Sequence, residues 1–222
     1  MPAAGWSAGT PPNLPTWPSG LATAKDLLTA VFPPRSSILA PAAALTAGAV
    51  LGSLTRLLET SGATAGHAAY LVLNEAWSWS ALAFCVGLAC ASRIASATLA
   101  AASLAAAAAA YYAVQLSHDD HTTSANFLFA TLAWGAVALV AGPILGLAGN
   151  LARKPGPRGL PPRLMIPLLA VVEASARLRA EVSEQGSVGE TTWTITRLAA
   201  IAACLALATR AVLIKRRDRR EG

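Results

Sequence analysis

The chain has 222 residues, of which 55% are apolar and only 13% charged, with a formal net charge of +6. That charged share is about half of what a soluble domain carries, and the charges are clustered. They leave uncharged apolar runs of about 20 residues, the length a helix needs to cross a bilayer. So much apolar sequence in a chain this small excludes an ordinary soluble domain and points to an all-α, polytopic transmembrane helix bundle.

Residues 1–35 are rich in Pro, Gly, Ser and Thr and carry Trp6 and Trp17. They read as an irregular cytoplasmic tail. Residues 21–32 fit a short amphipathic helix on the membrane surface, ended by Pro33-Pro34. No cleaved signal peptide is read here, because no basic start precedes an apolar core.

The bundle is expected over residues 36–214 as six spans. The first lies between Arg35 and Arg56. The second covers residues 68–92 and carries Glu75. The Ala-rich third covers 94–116, and the uncharged fourth covers 127–151. The fifth, 164–178, has a short apolar run before Glu173 and ends on Arg177 and Arg179. It either spans by snorkelling its arginines to the interface or lies as a half-span or interfacial helix. The sixth covers 193–214, and the basic tail 215–222 follows it.

With both termini cytoplasmic, 13 of the 17 Lys and Arg fall inside; only Arg56, Arg177, Arg179 and Arg197 fall outside. This is the positive-inside pattern. Glu59, Asp119, Asp120, Glu181, Glu184 and Glu190 fall outside and make that face acidic. The densest basic run, from Lys215 to Arg220, directly follows an apolar span, so it reads as an anchor on anionic head groups rather than a nucleic-acid site. Cys85, Cys90 and Cys204 lie in apolar runs and read as packing residues. Gly48-x-x-x-Gly52 and Gly142-x-x-x-Gly146 allow close helix approach, within the bundle or in a homo-oligomer or membrane partnership.

Two acids are the leading chemical candidates, because a carboxylate at membrane depth is costly and marks function by default. Glu75 sits in Leu73-Asn74-Glu75-Ala76-Trp77-Ser78-Trp79, where helical spacing puts Ser78 and Trp79 on its face with Asn74 and Trp77 beside it. The plainer reading is an interfacial Glu anchored by the aromatic belt. Glu173 is expected near mid-membrane, with Arg177 four residues on for an intrahelical ion pair. Its plainer reading is a structural contact with Asn150 or a serine. Tyr111, Tyr112 and Gln115, with Trp134 of the next span, complete a possible aromatic and acidic pocket facing outward.

His118, Asp119, Asp120 and His121 offer imidazole and carboxylate metal ligands. One short loop rarely closes such a site, so Glu75 or Glu190 would have to help. The plainer reading is a polar loop capping the fourth helix. Asp119-Asp120 is similar to the aspartate-rich diphosphate sites of isoprenoid enzymes, but the third acid is absent. No nucleophile elbow, Walker loop, zinc-protease helix or dinucleotide fingerprint is present, and the sequence implies no particular cofactor.

Asn74-x-x-Trp77-x-Trp79-x-x-Leu82-Ala83-Phe84-x-x-Gly87, then Tyr111-Tyr112, then Trp134 with Gly142-Pro143-x-x-Gly146, then Glu173, follow one another in order. In these pieces, over about residues 39–214, the chain resembles a family of small actinobacterial multi-pass membrane proteins of unknown function. The resemblance implies a bacterial inner-membrane location and brings no catalytic residues. The expected function is binding or passage of a small or lipid-like molecule through the outward pocket. The alternatives are a membrane-embedded enzyme on an apolar, isoprenoid-like substrate, with Glu75 as the initiating acid, and a membrane scaffold or partner subunit.

Overall fold

The computed structural model describes residues 35–118, 124–180 and 182–221. The expected surface helix at 21–32 and the candidate ligands Asp119, Asp120 and His121 lie outside the described residues, as does Glu181. Every described element is helical: α1 Arg35–Glu59, α2 Thr64–Leu73, α3 Ala76–Ala89, α4 Arg93–His118, α5 Ser124–Ala152, a 3-10 turn at Pro157–Gly159, α6 Leu160–Ala180 and α7 Val182–Glu221. No strand occurs among the described residues. Residues 39–222 form one unit; of the other, residues 1–38, only 35–38 in the first turn of α1 are described.

Four stretches among the described residues are long and apolar enough to cross a membrane: Ile38–Glu59, Arg93–His118, Ala125–Ala152 and Gly186–Leu213. They agree with the expected first, third, fourth and sixth spans. α7 contains a break at Gly186 (φ 63°, ψ −162°), a conformation that only glycine adopts without strain, and the apolar stretch starts there. The expected second span is not one straight helix. It is α2 and α3, bent by 62° at Asn74-Glu75, and the pair counts as a fifth span if taken together. α6 holds the expected fifth span. Its 21 residues are about 30 Å long at 1.5 Å per residue, but its charges keep it out of the apolar set.

Large apolar side chains cover the outside of these helices. Phe129, Leu132, Leu139, Val140 and Ile144 of α5 are all exposed, as are Leu39, Val50 and Leu54 of α1. Contiguous exposed apolar surface on this scale is costly in water and is compatible with a hydrocarbon surrounding.

Inside, the helices meet through small residues. α5 packs chiefly on α4 and α3, and α6 on α7. Ala83, Ala100, Leu104 and Ala138 form one core cluster, flanked by Trp79, Leu82, Val86 and Leu145. Leu71, Ala174 and the fully buried Trp193 form a second, joining α2, α6 and α7. Both Gly-x-x-x-Gly motifs act within the chain. Gly48 and Gly52 of α1 press on the backbone carbonyls of Ser103 and Ala107 in α4. Gly142 and Gly146 of α5 press on Ala101 and Ser96 of α4, and Gly146 also meets Gly87 of α3. A Cβ at any of these would overlap backbone of the neighbouring helix, which cannot give way as a flexible side chain can.

At the end of the bundle away from the bend, polar side chains close the helix C-termini. Asn150 Nδ2 and Arg153 Nη1 donate to the Cys90 carbonyl at 2.8 and 2.7 Å. Arg163 donates to the carbonyls of Ala152 and Lys154 at 2.8 and 3.0 Å. Cationic groups are favoured at helix C-termini, where unpaired carbonyls and the negative dipole end coincide. The three cysteines are unpaired.

Gly146→Leu should cost about 3 kcal/mol or more through overpacking between three backbones, seen as a large loss of thermal stability in detergent. Gly135→Ala, where an added Cβ meets nothing within 4 Å, should be neutral or stabilising by up to about 1 kcal/mol. Equal effects at the two positions would refute the close-packing account.

Candidate functional site

Breaking a helix in apolar surroundings releases backbone groups that must find new partners. At the α2–α3 bend four of them are met by side chains. The Val72 carbonyl accepts from Ser78 Oγ at 2.6 Å, and the Leu73 carbonyl accepts from Trp79 Nε1 at 2.9 Å. The first turn of α3 thus reaches back to satisfy the last turn of α2. On the other side, the N–H groups of Ala76 and Trp77 donate to Glu173 Oε1 and Oε2 at 3.2 and 2.9 Å. Glu75 occupies the N-cap position of α3 but makes no side-chain cap. The capping carboxylate comes instead from α6, and a negative charge is favoured at that positive helix end.

Glu75 itself is buried and turns toward α6. Arg177 grips it with two donors, Nε to Oε1 at 2.9 Å and Nη2 to Oε2 at 3.2 Å. Such a two-pronged contact is the geometry in which a guanidinium best matches a carboxylate. Glu173 and Arg177, one turn apart on α6, therefore hold the two sides of the bend. The expected ion pair between them is not what forms; Arg177 pairs across helices with Glu75. Asn150, the other expected partner of Glu173, lies at the opposite end on the Cys90 carbonyl.

These groups form one end of a cavity of about 520 Å³. Asn74, Glu75, Trp79, Tyr111, Tyr112, Glu173 and Arg177 line its polar end, and Trp134 closes one side. Leu104 and Ala108 of α4 with Val137, Ala138, Ala141 and Leu145 of α5 make an apolar wall. Trp134 and Val137 are also more than half exposed, so the cavity opens on the apolar outer surface of α5. A volume in the range of small-molecule sites, mostly apolar with a few convergent polar groups, is what a ligand pocket requires.

Two expected pocket residues are placed elsewhere. Gln115 is not on the cavity wall, and Trp77 contributes only its backbone N–H to the site; its indole nitrogen is buried without a hydrogen-bond partner among the described residues. His118 packs its Nδ1 against the Val114 carbonyl of its own helix at 3.0 Å and Ser117 Oγ at 2.9 Å. No group of three or more metal-ligating side chains is assembled among the described residues. Two features are not evident from sequence spacing. One is the apolar wall of α4 and α5. The other is Glu59, which accepts from Tyr111 at 2.8 Å and pairs with Arg56 at 2.6 Å, tying the cavity to the end of α1. The polar Asn74-Glu75 step inside an apolar run was the available signal for the bend, since interrupted spans mark binding sites in many membrane proteins.

The cap and the ion pair should separate in stability measurements. Glu173→Ala leaves two N–H groups without an acceptor and should cost about 2 kcal/mol, the upper end for a helix cap; Glu173→Gln, keeping one acceptor, should cost less. Arg177→Met strands the buried Glu75 and should cost about 3 kcal/mol, the low end for a broken buried pair because Arg177 is partly exposed. Adding Glu75→Gln to Arg177→Met should restore part of that loss. Thermal unfolding in detergent measures all four.

No curated protein and no solved structure matches the chain. The family described as "Family of unknown function (DUF6518)" matches residues 33–220, which contain every described helix except the last residue of α7, and the whole cavity. On that match the chain belongs to this family.

Proposed function

We propose that this chain is a six-span inner-membrane protein of an actinobacterium, with both termini cytoplasmic, which binds or passes a small or lipid-like molecule through the cavity at the α2–α3 bend. The observation that carries the proposal is the convergence of both intramembrane acids, Glu75 and Glu173, on one cavity with Trp79, Tyr111, Tyr112 and Trp134. Acids kept only for structure have no need of an open space beside them.

The topology rests on charge and on α6. The basic residues favour one side of the bundle, as the positive-inside bias requires. Three of the four charged groups of α6 are engaged by the protein itself: Glu173 caps α3, Arg177 holds Glu75, and Arg163 holds the end of α5. A helix whose charges face the bundle and are paired is tolerated at membrane depth. This orientation puts the cavity in the outer half of the bilayer. The acid-initiated enzyme is less well supported, because both oxygens of Glu75 are taken by Arg177 rather than aimed at the apolar wall. A pure scaffold has no use for the cavity.

Topology is checked in a cysteine-free background with a membrane-impermeant maleimide on intact cells. Cysteine at Ser61 should label and cysteine at Arg158 should label only after lysis; the reverse pattern would invert the bundle. Occupancy is checked by extracting the purified protein with organic solvent and identifying what it releases by mass spectrometry. A small or lipid-like molecule should accompany the wild type at near one per chain and be lost from Ala108→Trp, which fills the cavity. Identical extracts from a folded Ala108→Trp protein would refute the ligand role.

A further inference from the structure

The bonds already made around the cavity narrow the chemistry of its occupant. Several donors at the polar end are engaged within the protein. Tyr111 OH goes to Glu59, Trp79 Nε1 to the Leu73 carbonyl, and Arg177 to Glu75. Asn74 turns its amide nitrogen to Tyr70 at 3.2 Å, which leaves its carbonyl oxygen as an acceptor. Tyr112 and Ser80 each donate and accept, so they add no bias. Each carboxylate oxygen of Glu75 and Glu173 takes one bond and has a second lone pair. The polar end therefore holds more open acceptors than its engaged donors can fill.

The charges point the same way. Two carboxylates face one guanidinium, a formal balance of −1, softened by the roughly half-unit positive charge at the start of α3. A carboxylate or phosphate head would compete with Glu75 for Arg177 and would lie beside two acids. An ammonium head would find acceptors, a negative balance, and the faces of Trp79 and Trp134.

The apolar part supplies the rest. At about 30 Å³ per water-sized group, 520 Å³ holds roughly 17 such groups, enough for a head and a single chain of about a dozen carbons. The wall of Leu104, Ala108, Val137, Ala141 and Leu145 leads to the exposed Trp134 and Val137, on the lipid side of α5. From this juxtaposition we infer that the cavity takes a single-chain amphiphile with an N–H-bearing cationic head, entering sideways from the bilayer with the nitrogen at Glu75 and Glu173 and the chain along α5. This rests on the cavity being a ligand site at all, as proposed above.

The test uses full-length protein in neutral-lipid nanodiscs and three bromine-labelled probes: a twelve-carbon primary amine, the matching twelve-carbon carboxylate, and a four-carbon amine. Binding is read as saturable quenching of tryptophan fluorescence above that of protein-free nanodiscs. The long amine should bind at least about tenfold tighter than the carboxylate, since like charges in a dry site repel strongly. It should exceed the short amine by at least about 100-fold, a conservative figure when each buried methylene contributes about fourfold. Ala141→Phe, which shortens the apolar arm away from the charges, should remove most of the chain-length gap. Glu173→Gln, which removes one formal charge and retains an acceptor, should bring the amine and carboxylate within about threefold.

Equal or tighter binding of the carboxylate would overturn the cationic head while leaving a ligand site in place. Equal binding of the two amines would overturn the amphiphile and point to a soluble amine. Saturable binding of none of the three would overturn this inference, and the wider ligand reading would fall only if the extracts from wild type and Ala108→Trp were also identical.

Discussion

The structure depends on the anchoring of a broken helix by two side chains of a distant one. α2 and α3 meet at 62° within a largely apolar helix pair, and the bend releases backbone groups that need partners. Each unmet group in such a place costs several kcal/mol. The carboxylate of Glu173 takes the two N–H groups of Ala76 and Trp77, and Ser78 and Trp79 take the carbonyls of Val72 and Leu73. The bend thus exists because α6 lies at the register that presents Glu173 to α3. Arg177, one turn further, then binds Glu75, the residue the bend turns toward α6.

The same bundle is tight at one end and open at the other, and residue size explains why. On α5, Gly142, Gly146 and Gly149 bring its backbone against α4 and α3. Toward the other end α5 lines the cavity with Ala138, Val137 and Trp134, while α4 presents Leu104, Ala108, Tyr111 and Tyr112. No glycine stands among these residues, and it is here that the cavity lies. Tyr111 and Tyr112 stand edge to face, with ring centroids 5.2 Å apart at 81°, an arrangement aromatic pairs favour. The hydrogen bond from Tyr111 to Glu59 makes α1 part of the same support.

Charge inside this bundle is spent on holding helices as well as on lining a space. Arg163, Arg153 and Asn150 close C-termini at one end; Glu173 caps an N-terminus at the other. For the arginines and Glu173 the sign of the side chain opposes the sign of the helix end, and Asn150 acts as a neutral donor. This is why α6 carries so many charges yet buries Ala170 and Ala174 against its neighbours.

The sequence by itself determined the helical class, the position of four apolar helices, the close approach at both Gly-x-x-x-Gly motifs and the identity of the two acids to watch. Those properties follow from local periodicity, composition and the size of single residues. Only the tertiary structure decided that the second apolar run is broken at Asn74-Glu75, that Arg177 pairs with Glu75 rather than with its helical neighbour Glu173, and that Leu104, Val137 and Ala141 form a wall beside them. The physical reason is sequence distance. Glu173 and the N–H groups it caps are 96 and 97 residues apart, and no periodicity within one helix reports which distant side chain will reach a released backbone group.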